Sequence, residues 1–170
     1  MSAAALTVAR AGDTERAQKL SERLNRDFAQ NTIVQGYWLP ATRAAIEMNE
    51  KNSAKAVMVL QNAIAYEFSQ PQPFQLGMLY PVYLRGQAYL LGRQGKEAAA
   101  EFQKIIDHRG IVLNFPLGAL ARVGLGRAYV LQGDSANARS AYQEFLTLWK
   151  DADPDIPILK EAKAEYAKLQ

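Results

Sequence analysis

The sequence predicts an all-α protein built as a stack of antiparallel helix pairs, and three observations carry that reading. A two-helix pattern recurs at an offset of 40 residues, between Gly86 and Gly126. Capping residues punctuate the chain at helical lengths. The stretch 155–169 carries one apolar stripe at helical spacing beside a charged face.

The repeat is read by aligning RGQAYLLGRQGKEAAAEFQKI (85–105) with LGRAYVLQGDSANARSAYQEF (125–145). Without a gap, Tyr89 falls on Tyr129, Ala98 on Ala138, Phe102 on Tyr142 and Ile105 on Phe145. Each copy runs small–x–x–Tyr, a turn containing Gly, then Ala–x–x–x–aromatic. In a helical hairpin the small residue allows close approach of two backbones, and the aromatic ring fills the wedge between layers. Weaker copies lie upstream. Ala56, Leu60 and Ala63 occupy second-helix positions, with Ala44 and Glu47 where Gly and Tyr would stand. RAGDTERAQKLSERL repeats the Gly-Asp turn, placing Gly12 on Gly133 and Ala17 on Ala138. The alanines at 17, 56, 98 and 138 are thus 39, 42 and 40 residues apart.

Taken in order, the elements are an incomplete pair over 1–30, pairs over 31–70, 77–110 and 117–150, and a capping helix over 155–169, all in a single domain spanning 1–170. Asp13, Ser53 and Asp134 are the expected N-caps of second helices. Gly110 is the expected stop after the second helix of the third pair. Ala138, Tyr142, Phe145 and Leu146 form an inward stripe. Asp155 is the expected cap of the last helix, with Pro157 in its first turn and Leu159, Ala162, Tyr166 and Leu169 on its apolar face. The register puts Met1 about four residues into an opening helix, so the expectation is a piece of a longer protein.

Composition narrows the function. With 49% hydrophobic and 22% charged residues, the chain can bury a normal core and is not expected to be disordered. The net charge of +3 is small and its sources are scattered, so no nucleic-acid partner is expected. There is no cysteine, which excludes disulfides and thiolate zinc sites. No apolar run reaches the roughly 20 residues of a membrane span, and the opening MSAAALTVARAGD lacks the pattern of a signal peptide. The expectation is a cytoplasmic chain without membrane contact.

The repeated strings resemble the tetratricopeptide repeat (TPR), W-x2-L-G-x2-Y…A-x3-F…P. Leu125, Gly126, Tyr129, Ala138 and Tyr142 match in one copy, and Gly86, Tyr89, Ala98 and Phe102 in the other. Arg85 stands where Leu is usual, and Val82 and Arg122 where Trp is usual. The resemblance implies a right-handed superhelical solenoid. Laps here exceed the minimal 34 residues by about six, expected to lie in longer helices and in the loops SQPQPFQLG and HRGIVLNFPLG. VQGYWLPATRAAIEMN, GMLYPVYLRGQAYLL and FLTLWKDADPDIPILKEAKAEY further resemble the C-terminal repeat region of bacterial serine/threonine protein kinases. That implies a scaffold or sensor segment of a signalling protein, with the kinase domain elsewhere.

The chain itself offers no catalytic constellation. It has no Gly-rich phosphate loop, HRD or DFG. His108 is the single histidine, and Asp107 beside it points to another helix face, so a helix-end or loop-packing role is expected. Asp151, Asp153 and Asp155 alternate as in a calcium loop, but Ile156 and Ala162 replace its Gly and Glu. No metal and no cofactor are expected.

What the resemblance implies instead is a groove lined by first helices. Carried over, its positions are Trp38, Ala41, Ala45, Met48 and Asn49, then Tyr80, Tyr83, Gln87, Leu90 and Leu91, then Leu120, Val123, Arg127, Val130 and Leu131. Trp38, Asn49, Tyr80, Tyr83, Gln87 and Arg127 are the candidate peptide-binding residues, with packing inside the solenoid the alternative for Trp38, Tyr80 and Leu91. The Lys/Asn carboxylate clamp of chaperone-binding members is missing. The expected function is a non-catalytic scaffold for a protein or peptide partner, the alternative a self-association module.

Overall fold

The computed structural model describes residues 1–68 and 79–170. The loop SQPQPFQLG (69–77) lies outside the described residues. Helices α1 (Ser2–Arg10) and α2 (Thr14–Asp27) form the first pair. A π-helical turn, Val34–Trp38, leads into α3 (Leu39–Asn49), which is followed by α4 (Ser53–Leu60) and a 3-10 helix, Gln61–Tyr66. Next come α5 (Tyr80–Leu91), α6 (Gly95–Asp107) and the short α7 (Arg109–Val112). The chain continues through α8 (Leu117–Leu131) and α9 (Ser135–Leu148) to α10 (Pro157–Ala167). Among the described residues there is no strand, and no helix is long and apolar enough to cross a membrane.

Each first helix packs on its own partner and on the first helix of the next pair: α1 on α3, α3 on α5, α5 on α8. Each second helix packs on the following first helix. The apolar core accordingly falls into successive layers, around Trp38 and Leu60, around Phe102 and Leu117, and around Tyr142 and Leu159.

The repeat is written in the backbone as well as in the side chains. Each of the four pairs turns through three residues, 11–13, 50–52, 92–94 and 132–134. Gly12, Lys51, Arg93 and Gly133 occupy the same left-handed position, with φ of 88, 64, 58 and 74°. The following amides of Asp13, Asn52, Gln94 and Asp134 donate to the carbonyls of Val8, Glu47, Tyr89 and Tyr129. This is one helix-ending motif used four times, in the register of the alanines. Two of the four positions carry long side chains where Gly has no steric cost. Arg93→Gly is therefore expected to stabilise the fold by about 0.5–1 kcal/mol, the left-handed penalty less the extra freedom of Gly in the unfolded chain. Urea unfolding would read it, and a lowered midpoint would show that the turn bears no such strain.

Packing between the two helices of a pair follows the small-to-large logic of the sequence. A Cβ placed on Gly86 would lie 2.8 Å from the Phe102 ring, and one on Gly126 2.8 Å from the Tyr142 ring. The corresponding residues upstream are Ala5 and Ala44, both fully buried, with Ser21 and Leu60 where the rings stand. Gly36, not singled out in the sequence, makes the same kind of approach to the Tyr66 ring, 2.3 Å from a built Cβ.

Several local expectations are corrected. Asp13 and Asp134 cap α2 and α9 by accepting from the amides of Arg16 and Asn137, but Ser53 is already the first residue of α4, and the cap position is Asn52. Asp155 does not cap α10: Ile156 holds that position and Asp155 pairs with Lys160 at 2.7 Å. Pro157 opens α10 as expected. Gly110 does not stop α6, which ends at Asp107, because the chain re-enters a helical turn through it. His108 takes that helix end, its Nδ1 2.7 Å from the Lys104 carbonyl and its ring 4.8 Å from Phe68. Among the described residues, elements added to the helix pairs are the π turn, the 3-10 helix and, within HRGIVLNFPLG as expected, α7 with the loop after it.

Candidate functional site: the first-helix face

The residues carried over to a groove divide sharply by depth. Trp38, Ala41, Ala45, Met48, Tyr83 and Val123 are buried. Tyr80, Gln87, Leu90, Leu120, Arg127 and Leu131 are half-buried, and Asn49, Leu91 and Val130 are exposed. The split has a simple cause. The exposed members, Asn49, Leu91 and Val130, are the last or next-to-last residues of their helices and emerge beside the turns, while most of the others are covered by neighbouring layers.

Tyr83 belongs to the core, its ring 5.8 Å from Phe102 and its hydroxyl accepting from Gln87 Nε2 at 3.0 Å. Burial pushes its phenol up, against the charges of Arg10 and Arg127. Trp38 packs edge-on to Tyr37 at 5.4 Å. The Tyr37 hydroxyl accepts the Tyr80 amide at 3.3 Å, tying the start of α5 to the π turn. Asn49 donates to the Ala9 carbonyl at 2.8 Å and so fastens the first turn to the second.

Arg127, placed in the groove by its register, is engaged by the terminal helix. Its Nη2 and Nε donate to Glu165 at 2.8 and 2.9 Å, and Nη2 also to Glu161 at 2.9 Å. The Tyr142 hydroxyl donates to the same Glu165 at 2.7 Å. Burial works against charge on Arg127, yet the two carboxylates hold its pKa above the ordinary value. Burial raises Glu165, but Arg127 and Tyr142 outweigh it and leave the carboxyl below its usual 4.5. A carboxyl depressed in the folded state adds stability above its unfolded pKa, and that stability is lost as pH falls through the folded value. The wild-type protein is expected to lose stability below about pH 4.5, its usual value. Glu165→Gln should flatten that limb of a Tm-versus-pH profile. Parallel profiles would show that this pair contributes nothing.

Arg85, where the repeat pattern has Leu, is 2% exposed and carries a buried ion network. Its Nη2 lies 2.5 Å from Glu67 and 2.6 Å from Glu101, and Lys104 reaches Glu67 at 3.3 Å. Burial disfavours its charge, but Glu101 and Glu67 reverse the effect and raise its pKa.

Two cavities open on the first-helix face and meet at Arg10. One, of about 310 Å³, has walls from Leu6, Trp38, Tyr80 and Phe115. The other, of about 480 Å³, is bordered by Met48, Asn49, Lys51, Gln87 and Leu91. A third, of about 380 Å³, lies between α8 and α10 with Leu90, Val130, Leu131 and Leu169 around Arg127. Arg10 was not among the sequence-derived candidates. The signal was available: one lap upstream of Asn49, the same register lands on Arg10, and upstream of Ala45 on Leu6. Reading the first pair as incomplete hid both.

No family model, curated protein or solved structure matches this chain.

Proposed function

We propose that this chain is a non-catalytic interaction module, a TPR-like right-handed solenoid whose first helices present a concave groove to a peptide or partner domain. On the resemblance of its wording, we place it as the C-terminal region of a signalling serine/threonine kinase acting in the cytoplasm. The observation that supports the groove is the pair of cavities meeting at Arg10 on the first-helix face, each of ligand-pocket size. Self-association is the second reading, favoured by exposed Met58 on α4 and Ile64 on the 3-10 helix, 63% and 48% accessible. A photoreactive benzophenone side chain installed at Leu91 or at Met58 separates the two. Under the groove reading, a partner protein from lysate of the source cells crosslinks from Leu91 and not from Met58. Crosslinks between two copies of the chain from Met58, with none from Leu91, would replace the groove by self-association.

A further inference from the structure

The proposed groove is bordered by two cations, Arg10 and Lys51, that pair with no carboxylate among the described residues. Of the arginines on the first helices, Arg85, Arg122 and Arg127 each hold a carboxylate, whereas Arg10 and the exposed Arg43, which lines neither cavity, have no ion pair among the described residues. The side chain of Arg10, the last residue of α1, makes no hydrogen bond or ion pair among the described residues. Arg10 is exposed and borders both cavities of the first-helix face. No Asp or Glu lines either cavity that it borders. On one side stand the rings of Trp38, Tyr80 and Phe115, and on the other Lys51, a second cation without a partner among the described residues.

Helix ends explain part of this arrangement, because cations are favoured at C-termini such as those of α1 and α3. They do not explain the aromatic walls. A surface that pairs partly accessible aromatic rings with an uncompensated guanidinium is complementary to an apolar group carrying an anion. Arg recognises a carboxylate through two parallel charge-assisted bonds, stronger than neutral ones. Aromatic walls supply apolar contact area at low entropic cost. Nucleic acid fits poorly, since two cations give few phosphate contacts and its affinity depends on their number.

We propose that the groove, on the reading given above, takes a peptide segment in which an Asp or Glu stands next to a bulky apolar residue. The carboxylate sits on Arg10, the apolar side chain lies between Trp38, Tyr80 and Phe115, and the continuing chain runs past Asn49 and Lys51. The binding determinant is therefore at the α1–α3–α5 end of the face. Arg127, engaged by α10, is not part of it.

The test is selection from a random octapeptide display library by the full chain. Titration of the selected peptides follows, by fluorescence anisotropy, against wild type, Arg10→Gln and Lys163→Gln. The last makes the same change in net charge on the exposed face of α10, and circular dichroism confirms that all three are folded. The expected result is enrichment of an acidic residue beside Phe, Trp or Leu, with affinity reduced about tenfold or more by Arg10→Gln, the loss of one charge-assisted pair. Lys163→Gln should leave it unchanged. Peptides without an acidic residue, or bound equally by Arg10→Gln, would overturn this inference while leaving the groove in place. If wild type selects no peptide at all, the groove reading falls with it.

Discussion

Phe102→Ala is expected to cost about 3–5 kcal/mol, a large share of the roughly 5–15 kcal/mol by which a domain is ordinarily stable. The ring is fully buried and held from two sides. A Cβ on Gly86 would lie 2.8 Å from it, and one on Gly124, from the next pair, 2.5 Å. Tyr83 meets it edge-on at 5.8 Å. One side chain thus joins α5, α6 and α8, and its removal opens a cavity that three helices must close together. Gly124→Ala probes the same place from the other direction and should cost about 1–3 kcal/mol through overpacking. Combined with Phe102→Leu, it should cost less than the two changes summed, since both act on one contact. Urea unfolding with an unchanged slope is the measurement. A loss below about 1 kcal/mol for Phe102→Ala would mean that the ring is not wedged as described.

The second large effect is expected at Arg85. Arg85→Leu restores the residue usual in the repeat pattern but leaves Glu67 and Glu101 facing each other with Lys104 as their remaining cation. Glu67 is 2% exposed, so its charge cannot be relieved by water. Breaking one side of a buried pair costs about 3–5 kcal/mol, whereas replacing all the charges by apolar groups is often neutral or stabilising. Arg85→Leu alone should therefore be severely destabilising, and Arg85→Leu with Glu67→Leu and Glu101→Leu should recover most of the loss. Equal destabilisation in the single and triple variants would show that Arg85 acts through its packing, not its charge.

The register was readable because it rests on local chemistry. A small residue, a turn and an alanine fall within one hairpin at a spacing that recurs in all four, with the tyrosine added in the last two. What escaped depends on distance or on balance. Arg127 reads as a free groove anchor until α10, 34 to 38 residues downstream, folds back onto it. Arg85 reads as a departure from a pattern until Glu67 and Glu101 are brought beside it from two other elements. Ser53 and Asp155 are good capping types one residue away from the cap, and the backbone there settled on Asn52 and Ile156. Tyr83 has the register of a groove residue, but the aromatic layer against Phe102 claims its ring.

The column of small residues facing large ones bears on how the molecule comes apart. From the first pair to the last, it reads Ala5 and Ser21, Ala44 and Leu60, Gly86 and Phe102, Gly126 and Tyr142. The filler grows along the chain, and with it the apolar area lost when a layer opens. In an array where each unit leans only on its neighbours, local stabilities need not be equal, and opening begins where an interface is thinnest. That place is α1 and α2. The α1 amides should exchange with solvent sooner than those of α6 and α8, and Arg10 is carried on α1. Arg10 thus rides on the segment that most readily lets go, so an occupant gripping Arg10 would also be what holds α1 in place against α3.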